Sequence, residues 1–164
     1  MNYGAIKLND IANGPGVRVS LFVSGCTNCC PGCFQPETWD FDYGKKFTVN
    51  DMSYILDGLS PDYVHGLTIL GGDPLHPRNV YDVENIVNIV KYAYPEKSIW
   101  LYTGYTYEDL ITTEDEDTRH YIENIFKHID VLVDGPFIEA EKDLTLYMRG
   151  SRNQRILYLR DLGW

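Results

Sequence analysis

Apolar and polar positions follow one another along this chain in two patterns, one typical of strands and one typical of helices. Runs rich in β-branched and apolar residues, such as the run from Val17 to Val23, are typical of buried strands. Apolar residues three and four positions apart indicate amphipathic helices. The predicted strands are residues 17–23, 64–70, 99–102 and 130–133. The predicted helices are residues 49–59 with Thr48 as N-cap, residues 80–90, and a stretch within 106–128.

Successive strands are separated by about 30 residues, a spacing typical of crossover connections between parallel strands. The order of elements therefore predicts an α/β fold with a parallel sheet. Eight β/α units need about 250 residues to close a barrel, whereas this chain has 164 residues. We expect a single domain over residues 1–164, built as an incomplete (partial) parallel β/α barrel with outer helices.

Polar or glycine-containing loops follow the predicted strands, and these loops are the expected place for a ligand. In parallel α/β folds, ligands bind beyond the carboxyl ends of the strands. Four loops should therefore share one face of the sheet, namely residues 26–33, 71–74, 103–105 and 134–137.

The formal net charge of −10 argues against partners that carry many negative charges. Nucleic acids and anionic membranes are bound by clustered Lys and Arg, so an excess of carboxylates argues against both. The first residues lack the basic and apolar segments of a signal peptide, and no run of about 18 apolar residues occurs. These observations favour a soluble, cytoplasmic protein with no nucleic-acid or membrane partner.

All four cysteines lie within eight consecutive positions, which suits a metal or redox site better than structural disulfides. The spacing of Cys26, Cys30 and Cys33 lets one tight loop offer three thiolates to an iron–sulfur cubane, whose fourth iron then lacks a nearby protein ligand. Cys29 is left out because neighbouring side chains on an extended or turning backbone usually diverge. The spacing alone leaves two alternatives open, a zinc site of four cysteines and a redox pair of Cys30 and Cys33.

The cysteine spacing, followed by the aromatic Phe34, resembles the radical S-adenosylmethionine superfamily. Closer still, the chain resembles the activating components of anaerobic ribonucleoside-triphosphate reductases, which are similarly short. The matching segments are NGPGVR at 13–18, FVSGC at 22–26, CPGC at 30–33, GGDPLHP at 71–77, DG at 134–135 and RGSRNQR at 149–155. Cys29 departs from the family pattern, in which this position is not a cluster ligand.

The resemblance implies an oxidoreductase that holds a 4Fe-4S cluster on Cys26, Cys30 and Cys33, in a cluster loop at residues 25–34. Reductive cleavage of S-adenosylmethionine (SAM) then yields a 5′-deoxyadenosyl radical, which creates a glycyl radical on the large subunit of the reductase. The implied partners are that subunit and a low-potential electron donor such as flavodoxin. No catalytic residue is expected beyond the cluster and the cofactor.

Two groups of residues are expected to bind SAM if the resemblance holds. Gly71 and Gly72 would let the backbone approach its methionine part, and Asp73 or a nearby carbonyl would accept from its ammonium group. A bulky residue at Gly72 should then weaken cofactor binding while iron content stays near normal. The residues expected to flank the adenine are Gly32, Cys33 and Phe34.

Alternative functions and two charged segments complete the sequence-based expectations. The alternatives are a zinc or iron–sulfur interaction module without radical chemistry, a thiol–disulfide oxidoreductase, and an activase of a different glycyl-radical enzyme. Arg149, Arg152 and Arg155 form a basic cluster that pairs with a carboxylate, docks a partner or is ordinary surface charge. The acidic stretch 113–117 is expected to be a solvated loop.

Overall fold

The computed structural model describes residues 1–164 and contains one seven-stranded sheet and four α-helices. The strands are β1 Asn2–Asp10, β2 Val17–Val23, β3 Lys45–Lys46, β4 Val64–Gly71, β5 Ser98–Tyr102, β6 Val131–Asp134 and β7 Arg155–Tyr158. The helices are α1 Val49–Leu59, α2 Val80–Ala93, α3 Tyr107–Ile111 and α4 Glu116–Phe126. Short 3-10 helices span Pro36–Trp39, Glu139–Glu141 and Leu159–Leu162. All predicted strands and helices are present, and β1, β3 and β7 are additional.

The strand order in the sheet is β3-β1-β2-β4-β5-β6-β7. The central strands β2, β4, β5 and β6 are parallel, because helical connections return the chain to the same end of the sheet. At the two edges, β1, β3 and β7 pair antiparallel with their neighbours. The prediction of a parallel sheet is therefore right for the centre and wrong for the edges. The connections at residues 11–16 and 135–154 contain no α-helix, so these segments return antiparallel.

The helices pack on one face of the sheet. A core cluster of 25 buried residues combines apolar residues of all four helices with alternate residues of the strands. Leu21, Ile69 and Leu101 lie side by side in this cluster. Phe22 and Leu70 occupy the alternate positions, and their side chains line a cavity walled by strands and loops instead of α-helices. The sheet has free edges at β3 and β7, so it does not close.

Local capping chemistry sets where the helices begin. Thr48 is the N-cap of α1, as predicted, and forms a reciprocal capping box with Asp51. Asp115 caps α4 by accepting from Asp117 N and Thr118 N. The acidic stretch is therefore only partly a loop, since its last residues form the first turn of α4, where the helix dipole favours carboxylates. None of the helices combines the length and apolarity needed to cross a bilayer.

Candidate functional site

A cavity of about 750 Å³ lies on the face of the sheet that the helices leave free. Its volume is in the range of small-molecule and cofactor sites, about 300–1,000 Å³. All four loops expected to share one face contribute to its wall, for example through Cys26, Gly71, Thr103 and Gly135. The segment 144–150, which the sequence did not assign to the site, completes the wall.

The cysteine loop begins where β2 ends and is held by backbone hydrogen bonds. Gly25 N donates to Thr38 O at 2.7 Å, and Cys26 N donates to Trp39 O at 3.2 Å. Gly25 has a φ of +98°, and a Cβ atom there would lie 2.1 Å from the ring of Phe41. Only glycine suits both this conformation and this close contact. The start of the loop is therefore fixed against the 3-10 helix Pro36–Trp39.

The four cysteines are all free, and they differ in exposure and in their place relative to the cavity. Cys26, Cys30 and Cys33 are partly buried and line the cavity, whereas Cys29 is exposed and absent from its wall. Cys29 also has a positive φ of 45°, which turns the backbone between its neighbours. Burial raises the pKa of Cys26 to about 11 and raises the pKa of Cys30 as well. Binding of a metal group as thiolates must therefore release protons.

The thiols fit a cluster better than a single ion. No three His, Cys, Asp or Glu side chains are grouped closely enough to hold one metal ion. Around a tetrahedral zinc ion, with bonds of about 2.3 Å, ligand sulfurs lie about 3.8 Å apart. A cubane instead binds each thiolate on a separate iron, so a wider arrangement of three sulfurs suffices. The donor set, three thiolates on one cavity wall, matches the chemistry of a 4Fe-4S cluster.

Gly71 and Gly72 line the cavity and also permit close backbone packing. Gly72 N donates to Val23 O at 2.7 Å, and a Cβ atom on Gly72 would lie 2.6 Å from Gly25 O. The two glycines thus bring the end of β4 against the start of the cysteine loop. Because a larger residue at Gly72 would press on the backbone next to Cys26, it should disturb the cysteine loop as well, and the predicted near-normal iron content of such a variant stays a prediction.

Asp73 differs from the two glycines because its carboxylate does not line the cavity. The side chain is only 1% exposed. Its oxygens accept from Leu75 N, Thr103 Oγ1, Gly104 N and Asn28 Nδ2, at 3.0, 2.8, 3.0 and 3.3 Å. Burial raises the pKa of Asp73 to about 6. The expected contact of this carboxylate with an ammonium group is not available in this arrangement, and Asp73 instead ties three loops of the site together.

The residues predicted to flank the adenine lie around the end of the cysteine loop. Cys33 and Phe34 line the cavity, and Phe34 packs against Phe137 with ring centroids 5.1 Å apart. Gly32 is not part of the wall; it has a φ of +75° and faces the side chain of Glu139. Contact of all three residues with an adenine stays a prediction.

The three C-terminal arginines do not form one basic cluster. Arg155 donates to the carboxylates of Asp134 and Glu108, and this pairing raises the pKa of the guanidinium. Arg152 is exposed, while Arg149 lines the cavity. The predicted pairing with a carboxylate is thus present for Arg155 alone.

Asn79 is a site residue that the sequence analysis missed. Its buried Nδ2 donates to Ser24 O, Gly25 O and Asp73 O at 3.0, 3.4 and 2.9 Å. One side chain at the start of α2 therefore holds both the cysteine loop and the Gly-Gly-Asp loop. Asn79 precedes the predicted helix at 80–90, and nothing in the sequence indicated contacts with residues more than 50 positions away.

Comparison with known proteins identifies the family. The sequence matches the family described as "4Fe-4S single cluster domain" over residues 12–157. It is 42% identical over 166 residues to the anaerobic ribonucleoside-triphosphate reductase-activating protein of Enterobacteria phage T4, covering 100% of this chain and 98% of that protein. The chain belongs to this family of activating proteins. The family members from Escherichia coli K12 and Vibrio cholerae serotype O1 are 40% and 41% identical, over 98% and 95% of this chain.

The resemblance expected from the sequence motifs is therefore confirmed at the level of the family. The relatives are matched over 97–100% of their own length, so no large part of them lacks a counterpart here. The match to the 4Fe-4S family covers the cysteine loop, the Gly-Gly-Asp loop and most of β7. An iron–sulfur cluster domain and an activating-protein relationship both follow from the match.

Proposed function

We propose that this chain is a radical SAM activase that creates the glycyl radical of the anaerobic ribonucleoside-triphosphate reductase. The proposed enzyme is one radical SAM domain over residues 1–164, an incomplete β/α barrel with its cluster loop at 25–34. It works in the cytoplasm, with the large subunit of the reductase as protein substrate and a low-potential donor such as flavodoxin. The observation that carries the proposal is three thiols on the wall of one cofactor-sized cavity.

The proposed cluster ligands are Cys26, Cys30 and Cys33. A cluster held by these cysteines would supply one electron for cleavage of the C5′–S bond of SAM, giving methionine and a 5′-deoxyadenosyl radical. Transfer of a hydrogen atom from a glycine of the reductase to this radical would give 5′-deoxyadenosine and a glycyl radical. Cys29 is not proposed as a ligand, since it is exposed and outside the wall.

The residues around the cysteines hold the loop and exclude water. Asp73 accepts from Asn28 within the cysteine loop and from the Thr103–Gly104 segment, so the loops of the site are joined through one carboxylate. Phe22, Trp39 and Leu70 give the cavity apolar walls. Apolar walls lower the local dielectric and keep solvent away from a reactive intermediate. In this proposal Gly32, Cys33 and Phe34 flank the adenine of SAM and Gly71 and Gly72 contact its methionine part. The carboxylate of Asp73 joins the loops that carry them.

The rim of the cavity supports a protein as substrate. Phe34, Leu144 and Tyr147 belong to the wall, yet they are 59%, 80% and 56% exposed. Apolar side chains exposed around one opening are typical of a surface that another protein covers. In this proposal the reductase covers this rim and presents its glycine to the cavity.

A zinc or iron–sulfur interaction module without radical chemistry is the alternative. The cavity argues against it, because a purely structural site needs no cofactor-sized space beside its ligands. The absence of a group suited to a single ion argues against zinc in particular.

The test is formation of 5′-deoxyadenosine after anaerobic cluster reconstitution, with a strong reductant and SAM. Wild type should form the product, and Cys30→Ala should not. The glycyl radical of the reductase, followed by electron paramagnetic resonance, then tests the protein substrate. A wild-type protein with a full 4Fe-4S cluster and no 5′-deoxyadenosine, with the reductase also present, would refute the proposal and favour the interaction module.

A further inference from the structure

Arg149 is the only formally charged side chain on the cavity wall. The rest of the wall consists of apolar side chains, neutral polar side chains, thiols and glycines. Arg149 forms no ion pair with any carboxylate of the chain. Its Nη1 donates to Gln154 O at 2.7 Å, while its Nε is buried without a hydrogen-bond partner. Most of the five N–H donors of the guanidinium are therefore unused.

Arg149 differs from the other buried or paired arginines because its buried Nε has no hydrogen-bond partner. Arg18 is fully buried and donates to Thr68, Ser98 and three backbone carbonyls. Arg155 donates to two carboxylates. The chain has 24 acidic residues, yet none of them forms an ion pair with Arg149. An under-paired charge in a low-dielectric wall is costly unless a ligand supplies the partner.

The backbone on both sides of Arg149 is firmly held. Gln154 Oε1 accepts from Gly150 N at 2.9 Å and from Ser151 N at 3.2 Å. On the other side, Met148 has a positive φ of 50°, and its carbonyl accepts from Tyr102 Oη at 3.1 Å. A residue in this strained region persists only where its surroundings impose it. The guanidinium is therefore carried on a fixed segment of the wall.

This segment lies next to the cysteine loop. A Cβ atom on Gly150 would lie 3.0 Å from the ring of Phe34 and 3.3 Å from that of Phe137. Phe34 directly follows Cys33, so the residue after Arg149 touches the residue after a proposed cluster ligand. A ligand that reaches the cysteines is thus within the neighbourhood of Arg149.

We propose that Arg149 binds the carboxylate of the methionine part of SAM, an inference that rests on the proposed function. SAM carries one carboxylate besides its ammonium and sulfonium groups, so the single anionic group of the ligand meets the single fixed charge of the wall. A guanidinium is the side chain best suited to a planar carboxylate, because it presents parallel N–H donors. An acidic side chain of the reductase is the other possible source of a carboxylate, and the experiment separates the two.

The test measures equilibrium binding of SAM and of decarboxylated SAM to the reconstituted protein in the absence of the reductase. Hydrogen bonds to charged groups change affinity by about 10- to 100-fold, so Arg149→Met should weaken SAM binding by that factor. The same substitution should leave binding of decarboxylated SAM unchanged, because that ligand has nothing for Arg149 to bind. Arg149→Lys should recover part of the loss. Arg152→Gln, exposed and outside the wall, is the matched control and should bind both ligands as wild type does.

Iron content and thermal unfolding of each variant distinguish a binding defect from a folding defect. Equal losses for the two ligands in both Arg149 variants would overturn the inference, since that pattern indicates a structural role. Normal SAM binding combined with weaker binding of the reductase would also overturn it and assign the carboxylate to the protein partner. Failure of the iron-loaded wild type to bind SAM would instead refute the proposed function itself.

Discussion

The two faces of the central strands are built by different interactions. On the face covered by helices, Leu21, Ile69 and Leu101 are fully buried in a continuous apolar core. On the cavity face, the fully buried residues nearest the loop at 11–16 are polar, including Arg18 and Thr68. Arg18 Nε donates to Thr68 Oγ1 at 2.7 Å, and this hydroxyl donates to Asn13 O at 2.6 Å. Hydrocarbon burial holds the helical face, whereas the cavity face combines a smaller apolar cluster of Trp100, Val131 and Val133 with directional hydrogen bonds.

This difference predicts which face of the sheet tolerates substitutions and which face does not. Burial of hydrocarbon is non-directional, so the helical face depends mainly on volume. Hydrogen bonds depend on the position of single atoms, and an unmet buried donor or acceptor is costly. The cavity face should therefore be where substitutions change the site, and the helical face where they change stability.

The largest expected effect is on the cavity face and concerns metal binding. Cys30→Ala should lose the cluster completely, because two thiolates cannot replace three. The metal-free variant should unfold at nearly the same temperature as metal-free wild type, since Cys30 lies on a loop and is only partly buried. Iron and sulfide analysis with calorimetry measures both. Cys29→Ala is the control and should keep the cluster; loss of iron in that variant would contradict the ligand assignment.

Substitution of one leucine on each face compares the contributions of the two faces to the free energy of unfolding. Leu101→Ala, in the helical core, should cost about 2–5 kcal/mol in the free energy of unfolding, because it leaves a cavity. Leu70→Ala, on the cavity face, should cost about 1 kcal/mol, since its side chain already borders open space. Urea unfolding of the two metal-free variants gives the comparison. Equal costs would show that the cavity face is packed as tightly as the core.

Asp73 should make stability depend on pH. Its pKa is raised from the ordinary value of 3.8 to about 6 by burial, so the folded state binds the proton more tightly than the unfolded state. The contribution of Asp73 to stability should be greatest below about pH 4 and decline as the pH rises to about 6, by up to about 3 kcal/mol for this group. Unfolding of the metal-free protein across this range measures the decline. Asp73→Asn should flatten it, and an unchanged slope would show that other groups cause it.

The smallest expected effect is at the end of a helix far from the cavity. Thr48→Ala should remove the N-cap of α1 and lower the free energy of unfolding by about 1 kcal/mol. Iron content and SAM affinity should stay at wild-type values. A change in either would mean that α1 supports the site, contrary to the separation between the two faces.

The sequence predicted the centre of the fold well because strong periodic patterns occur there. β2 and α1 have the predicted bounds, and the gathering of four loops at one cavity followed from parallel topology alone. β1 was missed because Gly4 and Ala5 break the alternation near its start, which leaves only the short alternating stretch from Ile6 to Asn9. β3 has only two residues, too few for a pattern.

Parts of the candidate site could not be predicted from the sequence, for a different physical reason. The Gly-Gly-Asp motif looks the same whether its carboxylate faces a ligand or the protein interior. Only the structure shows that Thr103 and Gly104, 30 positions away, occupy the oxygens of Asp73. The wall formed by residues 144–150 has no regular secondary structure and left no periodic signal. Such loops are placed by long-range contacts that a one-dimensional pattern does not contain.

The short edge strand β3 has a consequence for association between molecules. An unpaired strand edge can recruit a strand from another chain and so begin aggregation. Here the edge consists of Lys45 and Lys46, both exposed, and spans only two residues. Adding a second copy along this edge would bring like charges together over a very short ladder. The molecule thereby resists growth into fibrils at β3 without any additional covering element.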